Sequence, residues 1–124
     1  MQAEHKLTEK IYDYDAQITD EQVEYVEPFD QRAYVETWRD MLNLQKDGVY
    51  PAAFSTINSP VLMLHGAYDP HPGPMIYGSL KPHVPQLEYY EFKNCGHSPW
   101  KEKQAADEFF MVMANWLLEH ARKE

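Results

Sequence analysis

The chain has little cysteine, little basic charge and no long apolar run. Cys95 is the single cysteine among 124 residues. It can form no internal disulfide, and its isolation fits a reducing compartment. No stretch approaches the roughly 18 consecutive apolar residues that a membrane helix needs, and no signal-peptide core opens the sequence. The expectation is a soluble, cytoplasmic protein with no membrane association. Lysine and arginine number 11 against 20 acids, a formal charge of −9. Nucleic acids and anionic membranes both select basic patches, so neither is expected as a partner. Internal repeats and low-complexity tracts are missing too.

What is present suits one domain at most, since domains typically run about 100–150 residues. Hydrophobic residues make up 44% and aromatics 14%, enough for a core. The acids are unevenly placed. Residues 1–30 hold nine of them (Glu4, Glu9, Asp13, Asp15, Asp20, Glu21, Glu24, Glu27 and Asp30) against Lys6 and Lys10. Residues 1–29 therefore read as an acidic arm, either solvated and poorly ordered or docking on a partner. Tyr12, Tyr14, Tyr25, Val26 and Phe29 keep the docking alternative open.

Three segments beyond the arm are legible. In "DQRAYVETWRDMLNLQKDG", residues 30–48, Tyr34, Trp38, Met41 and Leu42 recur at helical spacing. Asp30 is a candidate N-cap and Gly48 a stop. In "SPVLMLHGAYDPHPG", residues 59–73, the unbroken apolar run Val61–Leu64 predicts a strand buried on both faces. A proline-rich loop follows, then a short helix in "MIYGSLKPHVP" that ends by Pro82 or Pro85. "LEYYEF", residues 87–92, predicts a second strand. "KQAADEFFMVMANWLLEHARKE" predicts a long helix with an apolar stripe of Ala105, Ala106, Phe109, Phe110, Met113, Trp116 and Leu117. Arg122 and Lys123 suit its C-terminal dipole. Trp38 and Trp116 are expected in the core, His83 and His120 in solvent.

Alternating helices and strands predict an α/β fold with parallel strands. Only two strands are evident, and a lone parallel pair leaves both edges unpaired. The body reads as one side of a larger, partial doubly wound sheet.

Functional groups in such folds collect beyond the carboxyl ends of the strands. Asp69 lies five residues past Leu64, and His97 lies five past Phe92. Parallel neighbours would bring both to one end of the sheet. There an acid can orient an imidazole and stabilise its protonated form, leaving the second ring nitrogen as base.

"PVLMLHGAYDPHPG" followed by "LEYYEFKNCGHSPWKEKQAADEFFMVMANWL" resembles the C-terminal part of α/β-hydrolase fold proteins. The likeness covers roughly residues 30–120. It implies a Ser-His-Asp hydrolase of esters or related acyl bonds, with Asp69 as acid and His97 as base. Residues 30–58 correspond to the end of a helical cap, and 59–124 to the acid strand, histidine loop and final helix. The pattern departs from the family at one decisive point. The nucleophile of that family sits in a G-x-S-x-G turn, and Ser55, Ser59, Ser79 and Ser98 all lack those flanking glycines. The early oxyanion segment is also absent.

Two expectations of different class follow. The chain either supplies acid and base to a nucleophile-bearing hydrolase segment, acting then on a small-molecule ester or acyl substrate, or it is a non-catalytic module that homo-oligomerises through its exposed strand edge. Ser98 is expected to cap the last helix, with Pro99 at its first position. Cys95 is weighed as a nucleophile against a packed thiol. His71 and Trp100 are candidates for the substrate rim, against a plain loop residue and a packing residue. His65, Asp69, His71 and His97 are zinc-ligand types, but their spacing matches no strong zinc pattern, and no metal or cofactor is expected.

Overall fold

A computed structural model of the chain describes residues 12–17 and 28–121. Tyr25, Val26, Arg122 and Lys123, each given a role above, lie outside the described residues, as do residues 1–11 and 18–27 of the acidic arm.

Helix α1 spans Gln31–Lys46. The Asp30 side chain accepts from the Ala33 N–H and caps it, and Gly48 follows with φ of 73°. That left-handed backbone is where glycine costs least. A short 3₁₀ turn, Ala52–Thr56, leads to strand β1, Val61–Gly66. Helix α2, Gly73–Leu80, begins after Pro72 and stops two residues before Pro82. Strand β2, Leu87–Phe92, is followed by a 3₁₀ turn, Pro99–Lys101, and helix α3, Ala106–Ala121.

Among the described residues the architecture is mixed α/β, a two-stranded parallel sheet with three helices. Register runs from Val61 opposite Leu87 to Gly66 opposite Phe92. The crossover through α2 is held at its end by Lys81, whose Nζ donates to the carbonyls of Pro85 (2.9 Å) and Leu87 (2.8 Å). Gln86 ties the segment before β1 to this corner, donating to the carbonyls of Ile57 and Ser59.

The core is small and off-centre. Phe92, Cys95 and Ala105 are fully buried, with Leu64, Tyr90, Phe109 and Val112 packed against them. It gathers where β2 ends and α3 begins, because small Ala105 and Ala106 let the helix approach the loop beyond the sheet. Two strands offer α3 only a narrow surface to cover. Phe110 and Leu117 of the expected stripe therefore stand 52% and 54% exposed, and Trp116 is half-buried.

Several expectations are corrected here. Trp38 is no core residue: α1 buries nothing, and Tyr34, Trp38 and Leu42 line its open apolar face. His120 is not in solvent. Its ring lies against Trp116 at 4.3 Å, and its Nδ1 donates to the Trp116 carbonyl (2.9 Å). His83 is half-buried too, in the turn where its N–H donates to the Leu80 carbonyl. Ser98 leads into the 3₁₀ turn, where Pro99 takes the first position, and caps nothing with its side chain. Helix α3 starts eight residues later.

Residues 12–17 of the arm are docked. Ala16 forms an antiparallel bridge with Glu102. The N–H of Gln17 donates to the Lys101 carbonyl (2.7 Å), and the N–H of Lys103 donates to the Asp15 carbonyl (3.1 Å). Lys103 Nζ also pairs with the Asp15 carboxylate at 3.0 Å.

Candidate functional site

The site forms where two loops leave the carboxyl ends of β1 and β2 side by side. Both chains turn sharply there, and the backbones close to near contact. A Cβ on Gly66 would lie 2.0 Å from the Gly96 carbonyl oxygen, so only glycine fits the end of β1. Across this approach the Tyr68 N–H donates to the Cys95 carbonyl (2.8 Å), and the Ala67 N–H to the Phe92 carbonyl (2.9 Å). Asn94, with φ of 51°, turns the second loop through the left-handed region that asparagine tolerates.

This turn geometry carries Asp69 and His97 together. His97 Nδ1 lies 2.7 Å from Asp69 Oδ2. The Asp69 side chain is 4% exposed while that of His97 is 54% exposed. Burial pushes the Asp69 pKa up, yet the His71 N–H on Oδ1 (2.9 Å) and the His97 and His65 rings outweigh it. Asp69 is held below the ordinary carboxylate range and is ionised at neutral pH. An ionised carboxylate only accepts, so His97 Nδ1 carries hydrogen. Nε2 is then the nitrogen left to take a proton from elsewhere.

His65 supports the acid from below. It is buried, and its Nε2 lies 2.7 Å from the His71 carbonyl, which can only accept, so that nitrogen carries hydrogen. The same atom is 3.8 Å from Asp69 Oδ2. Gly73 makes room for this ring, since a Cβ there would lie 2.4 Å from His65 Cδ2.

His71 stands on the open side. Its side chain is 52% exposed, with Nδ1 3.9 Å from Asp69 Oδ1. It borders a shallow depression of about 530 Å³ lined also by Pro70, Pro72, Met75, Ile76 and Ser79. Trp100, in the turn that follows His97, is 45% exposed, and its ring lies 5.9 Å from that of Phe109.

Cys95 is fully buried, and its thiol contacts the Gly96 carbonyl at 3.4 Å. Burial first, then the carboxylates of Glu102, Asp69 and Glu108, push its pKa up to about 12. A thiol so protonated is no nucleophile at neutral pH. Among the described residues no hydroxyl or thiol hydrogen-bonds His97, and no group of histidines, cysteines and acids is arranged to hold a metal ion. His65, His71 and His97 surround Asp69; the His65 ring is bonded to the His71 carbonyl, and His71 is bonded to Asp69 through its main-chain N–H.

Two participants go beyond the sequence patterns, which mark Tyr12 only as a docking candidate and Glu102 not at all. Tyr12 closes the site from the arm: its carbonyl accepts from the His97 N–H (2.6 Å), and its ring meets those of His97 at 5.1 Å and His71 at 5.9 Å. Glu102 is completely buried beneath the His97 loop. It stands inside "GHSPWKE", but nothing in that string shows that its carboxylate faces inward. No helix of the described residues is long and apolar enough to cross a membrane. No family model, no curated protein and no solved structure matches the chain.

Proposed function

We propose that this chain is the acid- and base-bearing part of an α/β-hydrolase-type serine hydrolase, acting on an ester or related acyl bond. The observation that carries the reading is the 2.7 Å contact of His97 Nδ1 with Asp69 Oδ2 beyond two parallel neighbouring strands. In this role Asp69 keeps the proton on Nδ1 and stabilises the imidazolium. Nε2 takes the proton of an attacking serine hydroxyl and returns it to the leaving group. That serine belongs to a segment carrying G-x-S-x-G, which would add strands at the free edge of the sheet and leave it doubly wound. His71, beside the pair, and Trp100, in the turn after His97, are both partly exposed and would form the substrate rim.

Alone, the chain should hydrolyse p-nitrophenyl acetate no faster than free imidazole. Joined to a segment that carries G-x-S-x-G, it should turn the ester over, and His97→Ala should lower that rate about 10⁴-fold or more. A joined protein without His97-dependent turnover overturns the reading.

A second reading, a non-catalytic module that self-associates, is favoured by one observation. Tyr34, Trp38 and Leu42 on α1, and Phe110, Leu117 and Leu118 on α3, leave apolar faces open. Contiguous surface of this kind usually meets a partner. Both readings require association, so a monodisperse monomer at micromolar concentration contradicts both.

A further inference from the structure

We infer that Glu102 is the positioning residue of the His97 loop, and that it acts by clamping that loop to the segment Tyr12–Gln17. The inference rests on the reading of His97 as the base. Glu102 is 0% exposed. A carboxylate buried to that degree needs a full set of donors. Its partners among the described residues are all backbone amides. Oε1 accepts from Gly96 (2.9 Å) and from Tyr14 (2.6 Å), and Oε2 accepts from Asp15 (2.5 Å).

Those donors come from two separate stretches of chain. One is the residue immediately before His97; the other two belong to the arm. The arm then returns a contact to the base itself, because the Tyr12 carbonyl accepts from the His97 N–H (2.6 Å). Gly96 is held from both sides: a Cβ there would lie 1.9 Å from the Tyr12 carbonyl oxygen and 2.8 Å from Glu102 Oε1. The two peptides flanking Gly96 are thus both fixed: the Gly96 N–H by the buried carboxylate, and the His97 N–H by a Tyr12 carbonyl two residues from an amide that the same carboxylate holds. Glu102 does not touch the imidazole. It sets the direction from which the ring reaches Asp69.

The test uses the full chain, isotopically labelled, with Glu102→Gln. The amide side chain turns an N–H₂ toward at least one backbone donor, so one arm of the clamp fails. Nitrogen–proton correlations of the His97 ring should show a single Nδ1–H tautomer in the wild type and a mixture with the Nε2–H form in the variant. Amide exchange at Tyr14, Asp15 and Gly96 should speed up about tenfold or more, while that of Ala67, bonded to Phe92, keeps its rate. A folded variant with an unchanged ring tautomer overturns the inference.

Should Glu102→Gln fail to fold, Tyr14→Pro removes one donor and leaves the carboxylate in place. It carries the same expectation for the ring, and an unchanged ring again overturns it. In the wild type the protection factors of Tyr14, Asp15 and Gly96 should agree within about threefold, as expected of one cooperative opening. A spread beyond about a hundredfold overturns the clamp. None of these readouts needs turnover, so a joined protein inactive toward p-nitrophenyl acetate would sink the hydrolase reading and leave the clamp standing.

Discussion

Nδ1 of His97 lies 2.7 Å from Oδ2 of Asp69, although 28 positions separate the two residues in the chain. The hydrogen bond joins the tips of two loops that leave parallel strands at one level, Gly66 opposite Phe92. Its acceptor is nearly buried and its donor half-exposed, so the acid is fixed while the base faces outward.

Acid stability should depend on Asp69. Its folded pKa is lowered, so the stabilisation is complete above the ordinary carboxylate value and is lost as pH falls through the folded one. At pH 7, Asp69→Asn should cost about 1.5–3 kcal/mol, the range for a hydrogen bond to a charged group. Urea midpoints measured from pH 7 down to pH 2 should converge for the two proteins. A gap that stays constant with pH would show that the carboxylate charge contributes nothing.

At alkaline pH the sign reverses. The Cys95 thiol ionises at about 12 in the folded chain and at roughly 8.5 when unfolded. Between these values the folded state holds the extra proton, so stability falls as pH rises. Cys95→Ala should flatten that slope. Native protein at pH 8 should react with a disulfide reagent at least about a hundredfold more slowly than protein in urea.

Glycines divide into those the backbone needs and one it does not. Gly66→Ala forces a Cβ to 2.0 Å from the Gly96 carbonyl oxygen and should destabilise by about 1–3 kcal/mol or more. Gly78 lies within α2 with nothing within 4 Å of a Cβ. Gly78→Ala should therefore stabilise by about 0.5–1 kcal/mol, the helix-propensity difference. Thermal melts of the two variants should move in opposite directions, and a shift of the same sign would contradict the packing described.

Helix α1 should be the first element cleaved. None of its residues is buried, and a 16-residue helix without tertiary support is marginal in water. Limited proteolysis should cut within residues 31–58 before any cut falls between 61 and 121. Trp38→Gln should change the unfolding free energy by under about 0.5 kcal/mol. In sedimentation it should weaken self-association. Unchanged association would remove α1 as the contact face.

Much of this was legible in the residues. The apolar run Val61–Leu64 and the segment Leu87–Phe92 announce two strands, and the helix between them forces parallel pairing. Asp69, three residues beyond Gly66, and His97, five beyond Phe92, then meet. The helical faces were less legible. Spacing shows which residues of α1 share a face but not whether anything covers it, and Trp38 remained open. Glu102 and Tyr12 were out of reach for another reason. Glu102 bonds only to main-chain amides and Tyr12 supplies a carbonyl, and backbone groups leave no signature in the residue types. The docking of Ala16 beside Glu102 was only one of two alternatives, because an acidic stretch reads the same whether solvated or captured.

The close approach of Gly66 to Gly96 also bears on engineering. Two loops whose main chains touch without side chains between them form a matched pair, each shaped to the other's carbonyls. Grafting the histidine loop alone onto another scaffold would leave the Cys95 carbonyl without its donor at Tyr68 and the Glu102 carboxylate without its donors at Tyr14 and Asp15. The transplantable unit is three strips of chain: residues 12–17, the turn after β1, and the run from β2 through Glu102.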